Sequence, residues 1–207
     1  KDLIEREQWS QCREEKFCWN NYLSEPILEQ VSPQWFLPLI VGFVETTTFC
    51  LHFDITLRLS LIARRSQKYA GTRYLKRGVS KDGHAANEVE TEQIIQQLKL
   101  ATDIHKNHFS SFVQVRGSIP LFWRQEITVT SPKPDIIVSR SDPFQNAAIS
   151  HFQSLFARYG APIVVLNLVK QNEKREREVK LLRGFDTCVE FINSTLPKDI
   201  KLRYIRW

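Results

Sequence analysis

Cysteine is the strongest potential nucleophile in this sequence, and the chain of 207 residues contains four of them. A thiol attacks only as its thiolate, so a reactive cysteine needs nearby cations or backbone N–H groups that lower its pKa. No two of the four form a Cys-x-x-Cys pair, and nothing in the first residues resembles a signal peptide. The pattern predicts reduced thiols of an intracellular protein rather than a disulfide scaffold. The four are Cys12, Cys18, Cys50 and Cys188.

A run of basic residues indicates phosphate-binding chemistry. Eight Lys and Arg residues and no acid lie between Ile55 and Lys81, whereas the rest of the chain has 21 basic and 23 acidic residues. The formal net charge of +6 therefore arises from this one segment. Such a cluster attracts nucleic acid, anionic lipid headgroups or phosphorylated small molecules. A solvated loop without a partner is the alternative.

Histidines and carboxylates offer weaker chemistry. His105 and His108 are spaced like a metal-binding pair, but no carboxylate or cysteine stands at a matching distance, so we do not predict a metal site. The glutamates of the segment VETEQ, residues 89–93, could act as general acids, but the neighbouring arginines are their more natural partners. His84, beside the Asp-Gly pair, is most simply a turn residue.

These residues must be positioned by strands in the first half of the chain. Residues 49–62 alternate, with leucines on one face, and predict a long half-buried strand or a hairpin arm. Residues 37–44 and 112–122 are further strand candidates. The sequence Lys81-Asp82-Gly83 predicts a tight reversal between residues 73–79 and 88–95.

The second half of the chain alternates between helix and strand. Asp142 and Pro143 predict a helix start, and Gly160 predicts its end. Residues 163–169 predict a strand covered on both faces, residues 173–194 an amphipathic helix, and residues 201–207 another strand. This alternation is typical of a layered α/β domain. The second helix has its apolar positions at Val179, Leu182, Phe185, Cys188, Val189 and Ile192.

No stretch reaches the roughly 18 apolar residues that a membrane-spanning helix requires, so any membrane contact is expected to be peripheral. The chain contains no methionine and opens at Lys1. We therefore expect it to be a fragment of a longer protein.

Three blocks carry a resemblance to a known family: ARRSQKYAGTRYLKRGV at 63–79, HAANEVETEQII at 84–95 and SFVQVRGSIPLFW at 111–123. In order and spacing they resemble the Sac-domain phosphoinositide phosphatases, and WNNYL at 19–23 and LPLIVGFV at 37–44 extend the similarity. With DPFQNAAISHF at 142–152 and PIVVLNLVKQNEKREREVK at 162–180, the chain is most similar to the endolysosomal branch, which acts on phosphatidylinositol 3,5-bisphosphate.

The resemblance implies an α/β fold, a Sac-domain fragment with a mixed sheet flanked by helices. It implies that residues 1–30 end the Sac N-terminal subdomain and that residues 31–207 form the front part of the catalytic subdomain. It also implies a phosphatase without metal or other cofactor, whose nucleophile begins a Cys-x5-Arg loop. None of the four cysteines begins that loop, because Cys18, Ser24, Thr56 and Ser194 stand six positions after them. The resemblance places the loop C-terminal to this region, so we expect the chain alone to be inactive.

By the same resemblance, Arg73, Lys76, Arg77 and Arg116 are candidates for an electropositive wall near the inositol phosphates. The alternative is that arginines at 64, 65 and 73 pair with glutamates at 88, 90 and 92 across the hairpin and only support the fold. Phe122 and Trp123 could form a lipid-facing edge, but a core position is favoured for this Trp.

For the parent protein these features predict a phosphatase that removes the 5-phosphate of phosphatidylinositol 3,5-bisphosphate at endosomal, lysosomal or vacuolar membranes. The alternative is a catalytically silent Sac module that supports a lipid-kinase complex or binds anionic membrane. The resemblance implies, as partners, phosphoinositide headgroups and a phosphatidylinositol 3-phosphate 5-kinase with its scaffold protein. Nucleic acid is not a predicted partner, because the remainder of the chain is near neutral and has no nucleic-acid fold signature.

Overall fold

The computed structural model describes residues 14–27, 30, 32, 35–51, 55–72, 75–98, 108–125, 134–138, 142–173 and 176–207. It divides into two compact units, which are treated separately. The sheet unit comprises residues 1–67 and 89–116, and the α/β unit comprises residues 68–88 and 117–207. The predicted subdomain boundary at residue 30 stays a prediction.

The sheet unit is built on a four-stranded antiparallel sheet in the order β1-β2-β3-β4. Short 3-10 turns at Glu15–Phe17 and Glu25–Ile27 flank a single helical turn, α1 (Asn21–Ser24). The strands are β1 (Gly42–Cys50), β2 (Thr56–Arg65), β3 (Val89–Leu98) and β4 (His108–Arg116).

The predicted alternation at residues 49–62 is present but spans two strands. β1 ends at Cys50 and β2 begins at Thr56, and the Leu51 N–H donates to the Ile55 carbonyl between them. The register pairs Phe49 with Leu57 and Leu61 with Gln93, so the odd-numbered leucines of β2 share one face as predicted. The candidate strand at 37–44 begins only at Gly42, and the one at 112–122 ends at Arg116.

The α/β unit contains two helices and two small sheets. β5 (Trp123–Gln125) pairs antiparallel with β6 (Ile136–Val138), and β7 (Val164–Asn167) pairs parallel with β8 (Arg203–Arg206). The helices are α2 (Asn146–Tyr159) and α3 (Glu178–Thr195), and a 3-10 turn at Lys198–Ile200 precedes β8. The α/β class with a mixed set of strands is confirmed.

The amphipathic pattern of α3 is also confirmed, because all six predicted apolar positions are buried, and Leu181 is buried beside them. Leu181 belongs to a core cluster with Trp123 and Ile136. The predicted two-sided cover of β7 is wrong, since Val164 and Leu166 are exposed. Only the alternate side chains of that strand turn toward the protein, where Asn167 is buried.

The start of α2 lies three residues later than predicted, since the residue before the helix is Gln145 instead of Asp142. Asp142 begins a turn in which the Gln145 N–H donates to its carbonyl, and Gln145 has a left-handed backbone with φ of 50°. The helix follows from Asn146, and Asp142 Oδ2 accepts from the Ala147 N–H, so Asp142 supplies an oxygen to the first turn from outside the helix. Phe144 is exposed in this turn, whereas Gly160 ends the helix as predicted, with φ of 75°.

Candidate functional site

The four predicted substrate-binding cations fall in both units. Lys76 and Arg77 lie in the α/β unit, in the loop that leads to Gly78. Arg116 is the last residue of β4 in the sheet unit and is exposed. Arg73 lies outside the described residues.

Lys76 and Arg77 each stack on an aromatic ring of their own unit. The Lys76 ammonium lies 4.7 Å from the ring centroid of Tyr69. The Arg77 guanidinium lies 5.3 Å from the Trp123 ring, and its Nε donates to Gln125 Oε1 at 3.0 Å. These contacts restrict two long side chains before any ligand arrives, which reduces the entropy lost when an anion binds.

The backbone around these cations is held by a tight turn. The Thr72 carbonyl accepts from the N–H groups of Leu75 and Lys76 at 3.1 and 3.0 Å. Gly78 follows Arg77 with φ of 72°, and a Cβ at this position would lie 2.3 Å from the Leu121 carbonyl oxygen. Only glycine fits there, so the backbone takes a left-handed conformation immediately after the two cations.

Asn87 also contacts this loop, although the sequence analysis did not single it out. Its Oδ1 accepts from the Gly71 N–H at 3.2 Å, and its Nδ2 donates to the Lys76 carbonyl at 3.3 Å. Its backbone is left-handed, with φ of 54°. The signal in the sequence was an Asn within the block HAANEVETEQII, since Asn adopts a left-handed backbone more readily than most residues.

The tight turn predicted at Lys81-Asp82-Gly83 is confirmed, but its predicted hairpin partners are wrong, because β3 pairs with β2 and β4 and not with the described residues 75–79. Val79 and Ala85 form an antiparallel bridge, and Gly83 has φ of 84°. The Ser80 hydroxyl accepts from the N–H groups of Asp82 and His84, so His84 is a turn residue as expected.

The alternative of a supporting ion-pair network is confirmed for Arg64. Its Nη2 forms an ion pair with Glu90, which is only 1% exposed, and lies 3.5 Å from Glu92. Its guanidinium also stacks 5.4 Å from the Phe17 ring. Glu92 accepts a hydrogen bond from the Ser111 hydroxyl at 2.7 Å. The VETEQ carboxylates at 90 and 92 therefore stabilise the sheet, and Arg64 is engaged within it.

The described cysteines are not arranged as nucleophiles. Burial, with a smaller effect of the Asp142 carboxylate, raises the pKa of the Cys188 thiol to about 12. This thiol is therefore protonated at neutral pH. Cys18 is buried and donates to Asn20 Oδ1 at 3.3 Å, and Cys50 is exposed on β1. Cys12 lies outside the described residues.

The aromatic pair Phe122 and Trp123 and the two histidines were weaker candidates. Trp123 is a core residue, 9% exposed, and its indole N–H donates to the Ile119 carbonyl. His105 lies outside the described residues, and among those that the structure describes no group of three or more His, Cys, Asp or Glu side chains could hold a metal ion.

A polar network at the carboxyl ends of β7 and β8 was not foreseen. Tyr204 donates to Asp186 at 2.6 Å and accepts from Asn167 Nδ2 at 2.6 Å, while Arg206 Nε lies 3.2 Å from Asp186. Burial and the bond to Asp186 raise the pKa of the Tyr204 hydroxyl. The network joins both parallel strands to α3, and no periodicity of the sequence indicates it.

Comparison with known proteins decides the family. The family model described as the SacI homology domain matches residues 2–207. The chain belongs to the SacI homology domain family.

Sac-domain relatives are similar along nearly the whole chain. The chain is 47% identical over 195 residues to phosphoinositide phosphatase SAC2 of Arabidopsis thaliana, covering 94% of the chain and 24% of the relative. It is 45% identical to phosphatidylinositol-3-phosphatase SAC1 of the same plant, covering 92% and 21%. It is 42% identical to the polyphosphoinositide phosphatase of Schizosaccharomyces pombe, covering 92% and 24%.

The names of these relatives show that the family is one of phosphoinositide phosphatases, which are hydrolases. The chain spans about a quarter of the length of these relatives. Their names differ in the lipid that they specify. None of the helices among the described residues has the length and hydropathy of a membrane-spanning segment.

Proposed function

We propose that the protein containing this chain removes the 5-phosphate of phosphatidylinositol 3,5-bisphosphate, using a cysteine nucleophile that lies outside these 207 residues. The observation that carries the proposal is the 42–47% identity, over nearly the whole chain, to proteins named phosphoinositide phosphatases. The choice of lipid rests on the resemblance of the blocks at 69–79, 142–152 and 162–180 to the endolysosomal branch.

The proposed reaction has two steps. The thiolate sulfur attacks the 5-phosphorus, an S–P bond forms, and the P–O bond to the inositol breaks as that oxygen takes a proton. Water then attacks the phosphocysteine, releasing inorganic phosphate and restoring the thiol. Cations near the phosphoryl group stabilise its negative charge and lower the pKa of the attacking thiol.

The contribution proposed for this chain is electrostatic. Lys76 and Arg77 are oriented on aromatic rings and sit beside a tight turn, so they can meet the substrate phosphates without large rearrangement. Arg73 and Arg116 stay candidates for the same role. The protein would act on the cytoplasmic face of endosomal, lysosomal or vacuolar membranes, in contact with a phosphatidylinositol 3-phosphate 5-kinase and its scaffold protein.

Phosphate release by the full-length protein from vesicles containing phosphatidylinositol 3,5-bisphosphate tests the proposal. Vesicles containing the 3-phosphate or the 4,5-bisphosphate define its specificity. We expect release from the 3,5-bisphosphate that is abolished by Cys→Ser in the Cys-x5-Arg loop. No release from any of these lipids would refute the proposal and favour a catalytically silent module that assembles a lipid-kinase complex.

Matched variants test the role of the cations. Lys76→Ala should raise KM about tenfold or more, because a charge-assisted hydrogen bond contributes about 1.5–3 kcal/mol. Arg77→Lys should retain the charge but lose the bidentate geometry, and so raise KM less. Lys81→Ala is the control, since Lys81 is an exposed cation of the same basic segment in the neighbouring turn. Equal effects of Lys76→Ala and Lys81→Ala would contradict a specific role.

A further inference from the structure

The Asn87 side chain connects Gly71 to Lys76, the first of the two cations. Its Oδ1 accepts from the Gly71 N–H at 3.2 Å, and its Nδ2 donates to the Lys76 carbonyl at 3.3 Å. The two residues already lie in contact, because a Cβ at Gly71 would be 2.3 Å from Lys76 Cγ. One amide side chain therefore links Gly71 and Lys76.

Few residue types can make this connection. The left-handed backbone of Asn87, with φ of 54°, strains most residues but is tolerated by Asn and Gly. The connection also needs one donor and one acceptor on a short side chain, which an amide supplies and a carboxylate or hydroxyl at this length does not supply as well. Asn satisfies both demands.

The contacts of Asn87 and its neighbour bracket Arg77. Asn87 holds the carbonyl of Lys76, and the Ala86 N–H donates to the carbonyl of Gly78 at 2.8 Å. The Ala86 carbonyl in turn accepts from the Ser118 N–H at 3.1 Å. The carbonyls of Lys76 and Gly78, the residues before and after Arg77, are thus bonded to two consecutive residues, which restrains the directions in which Lys76 and Arg77 leave the backbone.

We propose that Asn87 is a positioning residue, which bonds Gly71 to Lys76 and so sets where Lys76 and Arg77 present their charges to a phosphate-bearing substrate. The part of this inference that concerns substrate rests on the proposed function. The part that concerns the loop does not.

The test uses the full-length protein with Asn87→Gly, which retains the left-handed backbone and removes the side-chain hydrogen bonds to Gly71 and Lys76. Ser80→Ala is the matched control, because the Ser80 hydroxyl also accepts two backbone hydrogen bonds, at 3.2 and 3.1 Å, in the adjacent turn. Two measurements are compared: hydrogen exchange of the amides at residues 69–77, and KM and kcat for phosphate release from vesicles containing phosphatidylinositol 3,5-bisphosphate.

We expect Asn87→Gly to speed exchange at Gly71 and Lys76 and to raise KM about three- to tenfold with kcat little changed, since two hydrogen bonds are lost. Ser80→Ala should change neither. Because Asn87 acts through Lys76, its effect on KM should shrink in the Lys76→Ala background, whereas independent effects would add. Unchanged exchange, unchanged KM or full additivity would each overturn the proposal.

Failure of the proposed function would appear in the wild-type protein as an absence of phosphate release. The same variants are then compared by titration with inositol 1,3,5-trisphosphate, the soluble headgroup. Weaker binding by Asn87→Gly than by Ser80→Ala would support the positioning role without catalysis. Equal binding by the two variants, or no binding by the wild-type protein, would overturn it.

Discussion

Replacing Arg64 by Met should destabilise the sheet unit strongly, because it removes the cation that faces a buried carboxylate. Glu90 is 1% exposed and Arg64 is 29% exposed, so water reaches only one side of the pair. Removing one partner of a buried ion pair costs about 3–5 kcal/mol, and the partial exposure of Arg64 places the expected loss near the lower end, about 3 kcal/mol. For a chain of this size that loss lowers Tm by roughly 6–12 °C.

Thermal unfolding followed by circular dichroism measures this loss, with two further variants for comparison. Arg58→Met is the matched control, since Arg58 lies on the same strand and face and is exposed. Its hydrogen bond to Gln96 Oε1 is long, at 3.5 Å, and the acceptor is uncharged. It should cost under about 0.5 kcal/mol. The double variant Arg64→Met with Glu90→Met should be closer to wild type than Arg64→Met alone, because the buried carboxylate that has lost its Arg64 partner is then also removed. The reasoning is refuted if Arg64→Met costs no more than Arg58→Met, or if the double variant is the least stable.

Three other expectations concern the α/β unit. Gly78→Ala should lower stability by about 2 kcal/mol or more, as judged by the urea midpoint, because the new methyl would meet the Leu121 carbonyl at 2.3 Å and φ is 72°. Although burial opposes it, backbone N–H donors at the start of α3 hold the pKa of Glu173 below its ordinary value. The Glu173 carboxylate should therefore stabilise α3 fully above the pKa that Glu173 has in the unfolded chain, and lose this effect as pH falls through its lower pKa in the folded protein. The stability difference between wild type and Glu173→Ala should shrink on acidification below about pH 4.5. Iodoacetamide at neutral pH should modify the exposed Cys50 and leave Cys188 protected until the protein unfolds, and mass spectrometry that finds Cys188 labelled in the folded protein would contradict its raised pKa.

Much of the architecture follows from local patterns. The apolar positions of α3 recur at helical spacing, and every one of the six that were predicted is buried. The alternating leucines of β2 share a face, and the Asp82-Gly83 turn reverses the chain as expected. Errors arose where one signal permits two local structures. Asp142 and Pro143 start a turn rather than the helix, because Gln145 adopts a left-handed conformation before Asn146.

The candidate site was only partly predictable. Sequence composition located the basic segment, and the resemblance selected Lys76 and Arg77 within it. The partners of these residues are distant in sequence: Arg77 contacts Trp123 and Gln125, 46 and 48 positions away. Periodicity does not report such pairs, because they depend on how separate segments pack.

The amino-acid sequence by itself determined the family, the burial of α3 and the charge of the segment between residues 55 and 81, since these depend on residue type and short-range spacing. Only the tertiary structure decided which cations pair with buried carboxylates and which lie beside a tight turn. Arg64 and Arg77 are chemically identical in the sequence. One faces a buried glutamate and the other an indole ring, because strand register and a glycine turn place them in different surroundings.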